Sequence, residues 1–139
     1  MGPVATSTLI TVAPTGAEPA KADAPALPVT LDELVSTAKA CQAAGAGLIH
    51  IHIRDSEARP TLDVERLRAT VQAVREATDL VVQLSTGGAV TDPYSARLAV
   101  LEADPDSCSL TCGSVNFGSD VFLNPWAFMV ELYRETHAR

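Results

Sequence analysis

The sequence lacks several features that would place the protein in a membrane, outside the cell or on nucleic acid. No apolar run approaches the roughly 18 residues that a membrane helix needs. No basic region followed by an apolar core opens the chain, so we expect no secretory signal. Positive charge is scarce, and a formal net charge of −7 argues against nucleic acid or an acidic membrane surface as a partner. Cys41, Cys108 and Cys112 lack CxxC spacing, which favours buried free thiols and a cytoplasmic protein.

The length and composition favour one folded domain, residues 1–139. Hydrophobic residues make up 47% of the chain and charged residues 19%, as in packed globular proteins. Strand-like and helical patterns alternate four times along the sequence. We predict strands over residues 8–13, 48–53, 80–84 and 107–111, and helices beginning at Thr30, Asp63, Asp92–Pro93 and Asn124–Pro125. Thr30 and Glu33 have the spacing of a capping box.

Four successive strand–helix units predict an α/β fold with a parallel sheet and right-handed crossovers. The strands are nearly continuously apolar, as in a sheet that is covered on both sides. Two architectures accept this pattern: an open doubly wound sheet, or four units that form half of an eight-stranded barrel. In both, the loops after the strands gather at one edge. All the candidate functional residues of this chain lie at the ends of strands or in the loops that follow them.

Two histidines stand two residues apart in the second predicted strand. Successive strand side chains point to opposite faces, so His50 and His52 should share one face while Ile49, Ile51 and Ile53 occupy the other. That arrangement can present two nitrogen ligands to one metal ion. The spacing alone leaves open whether the pair binds a metal or consists of half-buried structural histidines.

Two loops of small residues follow the third and fourth predicted strands. The loop Ser85-Thr86-Gly87-Gly88 can offer backbone N–H groups and a hydroxyl to a carboxylate or phosphate. It can equally be a tight turn that needs glycine for its backbone angles, and the loop 111–114 has the same two interpretations. Neither loop is a Walker motif or a GxGxxG fingerprint, so the sequence does not support nucleotide binding through either motif.

Other polar and aromatic side chains receive structural interpretations. We predict that Arg54, Asp55 and Arg59 are surface or supporting charges. We predict that Trp126 and Phe128 lie on a buried helix face.

Four segments, in order and at matching intervals, resemble the β-keto acid cleavage enzymes of the 3-keto-5-aminohexanoate cleavage type. They are residues 13–18 (APTGAE), 46–55 (AGLIHIHIRD), 83–88 (QLSTGG) and 109–118 (SLTCGSVNFG). The resemblance implies the N-terminal half, (βα)4, of a TIM (β/α)8 barrel in a zinc-dependent homo-oligomer. It also implies a reaction in which a β-keto acid and acetyl-CoA give acetoacetate and a new acyl-CoA.

The resemblance assigns roles to particular residues. His50 and His52 match the zinc ligands, and Ser85, with the backbone of Gly87 and Gly88, matches the group that holds the substrate carboxylate. The remaining matches are substrate-binding positions: Glu18, Thr111, Ser114 and Asn116. Two histidines would leave coordination sites open for a keto acid, whose ketone zinc polarises as a Lewis acid.

The chain is about half as long as members of this family. By resemblance the third zinc ligand, the acidic base and a supporting arginine lie in the C-terminal half, so no catalytic residue is assigned here. We expect association with a complementary half-barrel or with another copy of the chain, because a half-barrel exposes strand edges and an apolar face. Two other functions remain open: a non-catalytic fragment that binds metal or an acyl ligand, and a complete open-sheet domain that binds a phosphorylated ligand. The sequence does not determine which β-keto acid is cleaved.

Overall fold

The computed structural model describes residues 7–139. The first four strands are β1 (Thr11–Val12), β2 (Leu48–Ile51), β3 (Val81–Leu84) and β4 (Ser107–Cys108), and β5 (Val115–Phe117) and β6 (Asp120–Phe122) follow them. The helices are α1 (Leu31–Ala43), α2 (Val64–Ala77), α3 (Tyr94–Ala99), which continues into a 3₁₀ turn (Val100–Ala103), and α4 (Trp126–His137). None of these helices combines the length and apolar character of a membrane span.

The main sheet has four parallel strands in the order β1-β2-β3-β4. A doubly wound sheet reverses its strand order at a switch point, whereas a barrel adds each strand beside the preceding one. The sequential order is therefore that of a barrel, and it confirms the predicted (βα)4 half of a TIM barrel.

The hydrophobic core lies between one face of this sheet and the helices. Ile49 pairs with Val82 and Ile51 with Leu84, and all four side chains are buried on the same face. Leu34 of α1 and Leu67 of α2 belong to the same cluster. The α1 helix packs on α2, α2 on the 3₁₀ turn and α3 on α4, so the helices form one layer outside the sheet.

The opposite face of the sheet, the inner face of the barrel, is less covered than predicted. Val81 is 41% exposed there, and His50 and Gln83 are only half-buried. The prediction of a sheet covered on both sides therefore holds for the outer face of the described residues and not for the inner one. A polar row crosses the inner face, because His50 pairs with Gln83, and Gln83 with Ser107, in the parallel register.

The capping box predicted at Thr30 is confirmed, and Asp63, where the second helix was predicted to begin, also caps its helix. Thr30 accepts the Glu33 N–H at 3.2 Å and Glu33 accepts the Thr30 N–H at 3.0 Å, completing the capping box. The Asp63 carboxylate accepts the Arg66 N–H at 2.8 Å at the start of α2.

Helices α3 and α4 begin directly after Pro93 and Pro125, close to the starts predicted at Asp92–Pro93 and Asn124–Pro125. The cap positions of α3 and α4 are Pro93 and Pro125, which form no side-chain cap bond. The Asp92 carboxylate instead accepts the Ala89 N–H at 2.7 Å, which stabilises the loop before α3. Asn124 is buried and bonds to distant residues.

Other predictions need correction in the C-terminal half of the chain. The sequence predicts a fourth strand over 107–111, but β4 ends at Cys108 and the antiparallel β5–β6 hairpin replaces the loop expected afterwards. Gly118 begins the turn of this hairpin at φ 62°, a backbone angle that favours glycine.

Phe128 is buried as predicted, but Trp126 is 77% exposed because it opens α4 on its solvent side. The cysteines are free, but none is fully buried as predicted: Cys41 and Cys108 are partly buried and Cys112 is exposed.

Candidate active site

A cavity of about 270 Å³ lies at the carboxyl ends of β2, β3 and β4, beside the β5–β6 hairpin. It brings together residues from the ends of the four parallel strands and from the loops that follow them, as expected where parallel strands end. Its polar lining consists of His50, His52, Ser85, Ser109 and Thr111, and its remaining lining of Ala17, Gly87, Gly88, Val90, Phe117 and Phe122.

The two histidines converge as the strand alternation predicts. His50 lies within β2 and His52 follows it, and their Nε2 atoms are 3.2 Å apart. The Thr15 hydroxyl accepts the backbone N–H of His52 at 2.9 Å, which anchors the chain just beyond the strand. The pair therefore lies against the loop that follows β1.

Gln83 orients the first of these rings. Its Oε1 lies 2.8 Å from Nδ1 of His50, and its amide nitrogen donates to the Ser107 hydroxyl at 3.2 Å. Because Oε1 only accepts, the bonded Nδ1 of His50 must carry the proton, so Nε2 keeps a lone pair directed at the cavity. Sequence reasoning did not single out Gln83. The strand register could have indicated it, because it places Gln83 directly beside His50 on the neighbouring strand.

Burial keeps His52 neutral. The pKa of His52 is lowered from 6.5 to about 4, first by burial and then by the charges of His50 and Arg54. A lowered pKa favours the neutral imidazole, the form that coordinates metals, throughout the range above pH 4.

The geometry of the pair fits a single metal ion. Two nitrogens on one tetrahedral zinc, each about 2.0–2.1 Å from it, are separated by roughly 3.3 Å, close to the 3.2 Å between the two Nε2 atoms. Residues 7–139 contain no group of three or more metal-ligating side chains in one place. This part of the chain therefore offers two ligands.

The Ser85–Gly88 loop lies beside the histidines. Ser85 is 6% exposed, and its Oγ accepts the Gly87 N–H at 3.1 Å. Gly88 has φ +65°, and a Cβ there would lie 2.3 Å from the Asp92 carboxylate and 2.8 Å from Leu62. The turn therefore requires glycine at position 88, and Ser85 at its start is part of the cavity lining.

The loop after β4 is tied to this loop through Thr86. The Thr86 hydroxyl donates to the Ser109 carbonyl at 2.5 Å, and Ser109 Oγ accepts the Thr86 N–H at 3.3 Å. These bonds bring Ser109 and the half-buried Thr111 into the cavity wall. Ser109 was missed as a site residue, although it alternates with Thr111 along the chain.

Three of the sequence-predicted substrate residues do not line this cavity. Glu18 is exposed on the loop after β1. Ser114 is exposed, and its Oγ accepts the Asn124 N–H at 2.8 Å. Asn116 is exposed in β5, where it pairs with Val121. Their roles remain predictions.

Arg54 is buried, so of the two predicted roles, surface charge or supporting charge, the structure favours the supporting one. It is 4% exposed, and its Nη2 donates to the carbonyls of Thr15, Gly16 and Pro19 at 3.0–3.2 Å. Burial lowers the pKa of this guanidinium. Arg54 thus holds the loop after β1 against the end of β2, next to His52. The prediction holds for Arg59, which is exposed and pairs with Asp55 at 2.9 Å.

Comparison with known proteins identifies what this arrangement is similar to. Residues 7–139 match the family model of the beta-keto acid cleavage enzyme. A 3-keto-5-aminohexanoate cleavage enzyme from Fusobacterium nucleatum is 42% identical over 118 residues, which cover 84% of this chain and 43% of the relative. A 3-oxoadipate:acetyl-CoA acetyltransferase from Cupriavidus necator is 38% identical, covering 84% of this chain and 41% of the relative.

A solved structure shares the fold. The apo structure of ObcA superposes with a TM-score of 0.69 at 21% identity, covering 80% of this chain and 28% of ObcA. The chain thus spans less than half the length of these relatives.

Proposed function

Because this chain belongs to the beta-keto acid cleavage enzyme family, we propose that it provides part of the active site of a zinc-dependent acyltransferase. The reaction converts a β-keto acid and acetyl-CoA into acetoacetate and a new acyl-CoA. The observation that carries the proposal is the pair of His50 and His52, with Nε2 atoms 3.2 Å apart in the cavity that Ser85 also lines.

In this proposal His50 and His52 hold Zn²⁺, which supplies Lewis-acid polarisation of the β-keto group. Gln83 keeps the proton of His50 on Nδ1, so His50 Nε2 is available as a ligand. Burial keeps His52 uncharged, which is the form of imidazole that binds a metal. A third ligand is expected from the part of the family's length that this chain does not span.

Ser85 and the glycine turn bind the substrate carboxylate in this proposal. The Ser85 Oγ already accepts the Gly87 N–H, so its own proton is free to be donated to an anion. Gly87 therefore contributes through Ser85, and Gly88 contributes the turn that keeps the loop at the cavity. Thr111, on the facing loop, adds a second hydroxyl.

Assembly forms the second part of the proposal. Val81 on the inner face is 41% exposed, and Leu9 and Ile10 near β1 are 63% and 54% exposed. Burying such apolar surface is favourable by about 25 cal/mol per Å². We therefore expect the inner face to be covered by a complementary half-barrel or by another copy of the chain, in a cytoplasmic homo-oligomer. Light scattering tests this, and a monodisperse 14.6 kDa species would contradict it.

The metal is tested by replacing each histidine in turn. His50→Ala and His52→Ala should lose bound zinc, whereas His137→Ala, in the exposed last turn of α4, should retain it. Metal analysis after dialysis measures the stoichiometry. A His50→Ala protein that keeps one zinc per chain would contradict the site.

The activity is tested by incubating the zinc-loaded protein with acetyl-CoA and a set of β-keto acids. Mass spectrometry should detect acetoacetate together with the new acyl-CoA. The alternative is a protein that binds metal or an acyl ligand without turnover, and the limit of two metal ligands within residues 7–139 favours it. Zinc-dependent acetoacetate binding with no acyl-CoA formed would support that alternative.

A further inference from the structure

One buried arginine connects two of the loops that line the cavity. Arg97 of α3 is 3% exposed. Its Nε donates to the Thr86 carbonyl at 2.9 Å, which belongs to the loop after β3. Its two terminal nitrogens donate to the Leu123 carbonyl at 2.9 Å and to Asn124 Oδ1 at 2.5 Å, at the end of the β5–β6 hairpin.

The surroundings of this guanidinium hold it in one orientation. The rings of Phe122 and Phe128 each lie 4.4 Å from its central carbon, and the Tyr94 ring lies 5.8 Å away. Among residues 7–139, none of the ion pairs involves Arg97. Its charge is therefore compensated by oxygen acceptors and aromatic faces, which constrain a planar group more tightly than one exposed carboxylate would.

The bond to Thr86 also determines how Ser85 is presented. A trans peptide is planar, so its carbonyl and the following N–H point in opposite directions. With the Thr86 carbonyl drawn towards Arg97, the Gly87 N–H points the other way, and it donates to Ser85 Oγ at 3.1 Å. Ser85 then has its own proton available for the cavity.

The bonds to Leu123 and Asn124 hold the opposite wall. The Asn124 side-chain nitrogen donates to the Gly113 carbonyl at 3.3 Å, and its backbone N–H donates to Ser114 Oγ at 2.8 Å. Phe122, which the guanidinium contacts, lines the cavity and would lie 3.5 Å from a Cβ added at Gly87. The hairpin and the Ser85–Gly88 loop thus meet through the same side chain.

We propose that Arg97 is a positioning residue that couples these two loops, so that the Ser85 hydroxyl and the Phe122 wall are set together for a carboxylate ligand. The coupling of the two loops follows from these contacts alone, whereas the role in binding a carboxylate ligand rests on the proposed function. Lysine cannot replace Arg97, because one ammonium on a flexible stem cannot reach three acceptors in the geometry of a planar fork.

Hydrogen exchange on the full chain tests the coupling without any ligand. In Arg97→Lys, amide exchange in residues 85–89 and in residues 113–124 should accelerate together, by about tenfold, since the lost bonds are to a charged donor. The control is Arg68→Lys, an exposed arginine of α2 that donates to the Glu102 carbonyl at 3.1 Å. It should leave both segments unchanged. Unchanged exchange in either segment of Arg97→Lys would overturn the coupling.

A second variant keeps the test decisive if Arg97→Lys fails to fold. Asn124→Ala removes the contacts of the hairpin to Arg97 Nη2 and to Gly113, and it leaves the bond from Arg97 to Thr86 in place. Exchange should accelerate strongly in residues 113–124 and much less in residues 85–89, where the bond from Arg97 to Thr86 remains. Acceleration of residues 85–89 as large as in Arg97→Lys would mean that Asn124 itself connects the loops, and it would overturn the role of Arg97.

Acetoacetate binding to the zinc-loaded protein tests the positioning role. Arg97→Lys should bind acetoacetate about tenfold more weakly while its zinc affinity stays that of the wild type. Wild-type acetoacetate affinity in a variant with loosened loops would reduce Arg97 to a purely structural residue and overturn the proposal. If the wild-type chain bound no acetoacetate, the proposed function would fail, whereas the exchange experiment would still decide the coupling.

Discussion

Gln83 should control the affinity of the histidine pair for zinc although it is not itself a ligand. Its Oε1 lies 2.8 Å from His50 Nδ1 and holds that ring in the tautomer with a free Nε2. The informative change is Gln83→Leu, which keeps the size of the side chain and removes the acceptor. The half-buried position limits compensation by solvent, so His50 should lose both its tautomer preference and its fixed orientation.

The magnitude follows from the role of the bond. Loss of a hydrogen-bond partner behind a metal-ligating histidine typically lowers metal affinity by about 10- to 100-fold, which corresponds to about 1.4–2.8 kcal/mol. The opposite change, Gln83→Glu, offers His50 a carboxylate acceptor, and it should tighten zinc binding severalfold. Two substitutions at one position should therefore move the affinity in opposite directions.

The assay is a competition titration in which a chromophoric chelator reports the free zinc. Gln72→Leu is the matched control, since Gln72 is exposed on α2 and bonds only to Glu76, at 2.8 Å, among the described side chains. It should leave zinc affinity unchanged. Equal zinc affinity in Gln83→Leu, Gln72→Leu and wild type would refute the argument that the Gln83 bond orients His50.

Three further outcomes are expected. Ser85→Ala should weaken acetoacetate binding by about 1.5–3 kcal/mol, because a charge-assisted hydrogen bond is lost, while zinc content should stay unchanged. Calorimetry measures the affinity, and a wild-type value would contradict the carboxylate site. Gly88→Ala should lower the free energy of unfolding in urea by about 1–3 kcal/mol, because its φ is +65° and the new Cβ would meet Asp92 and Leu62. Gly45→Ala, at φ +99° with nothing within 4 Å of the added Cβ, should cost less. The pKa of Glu33 is lowered to about 2, first by the hydrogen bond from Lys21 and then by the Val29 and Thr30 N–H groups. Its ionised form therefore stabilises the fold above pH 4.5, and this contribution is lost as the pH falls from 4.5 towards 2. Thermal melts of Glu33→Gln should show a flatter pH dependence than wild type in that window.

Several elements could be predicted because their causes are local. The capping box of α1 and the Asp63 cap depend on residues three positions apart, and both are present. The convergence of His50 and His52 depends only on strand alternation. Asp92 and Asn124, at the predicted starts of α3 and α4, do not cap these helices because both side chains bond elsewhere, and Asn124 bonds to Arg97, 27 positions away in the sequence.

The sequence alone determined the succession of four strand–helix units, the pairing of the two histidines on one face and the position of the glycine turn. These follow from periodicity, capping and backbone restrictions that act over a few residues. Only the tertiary structure decided that Gln83 orients His50, that Arg54 and Arg97 are buried, and that Glu18, Ser114 and Asn116 lie outside the lining of the cavity. Those features depend on strand register and on contacts between residues 11 to 39 positions apart, and no local pattern specifies which distant carbonyl an arginine will meet.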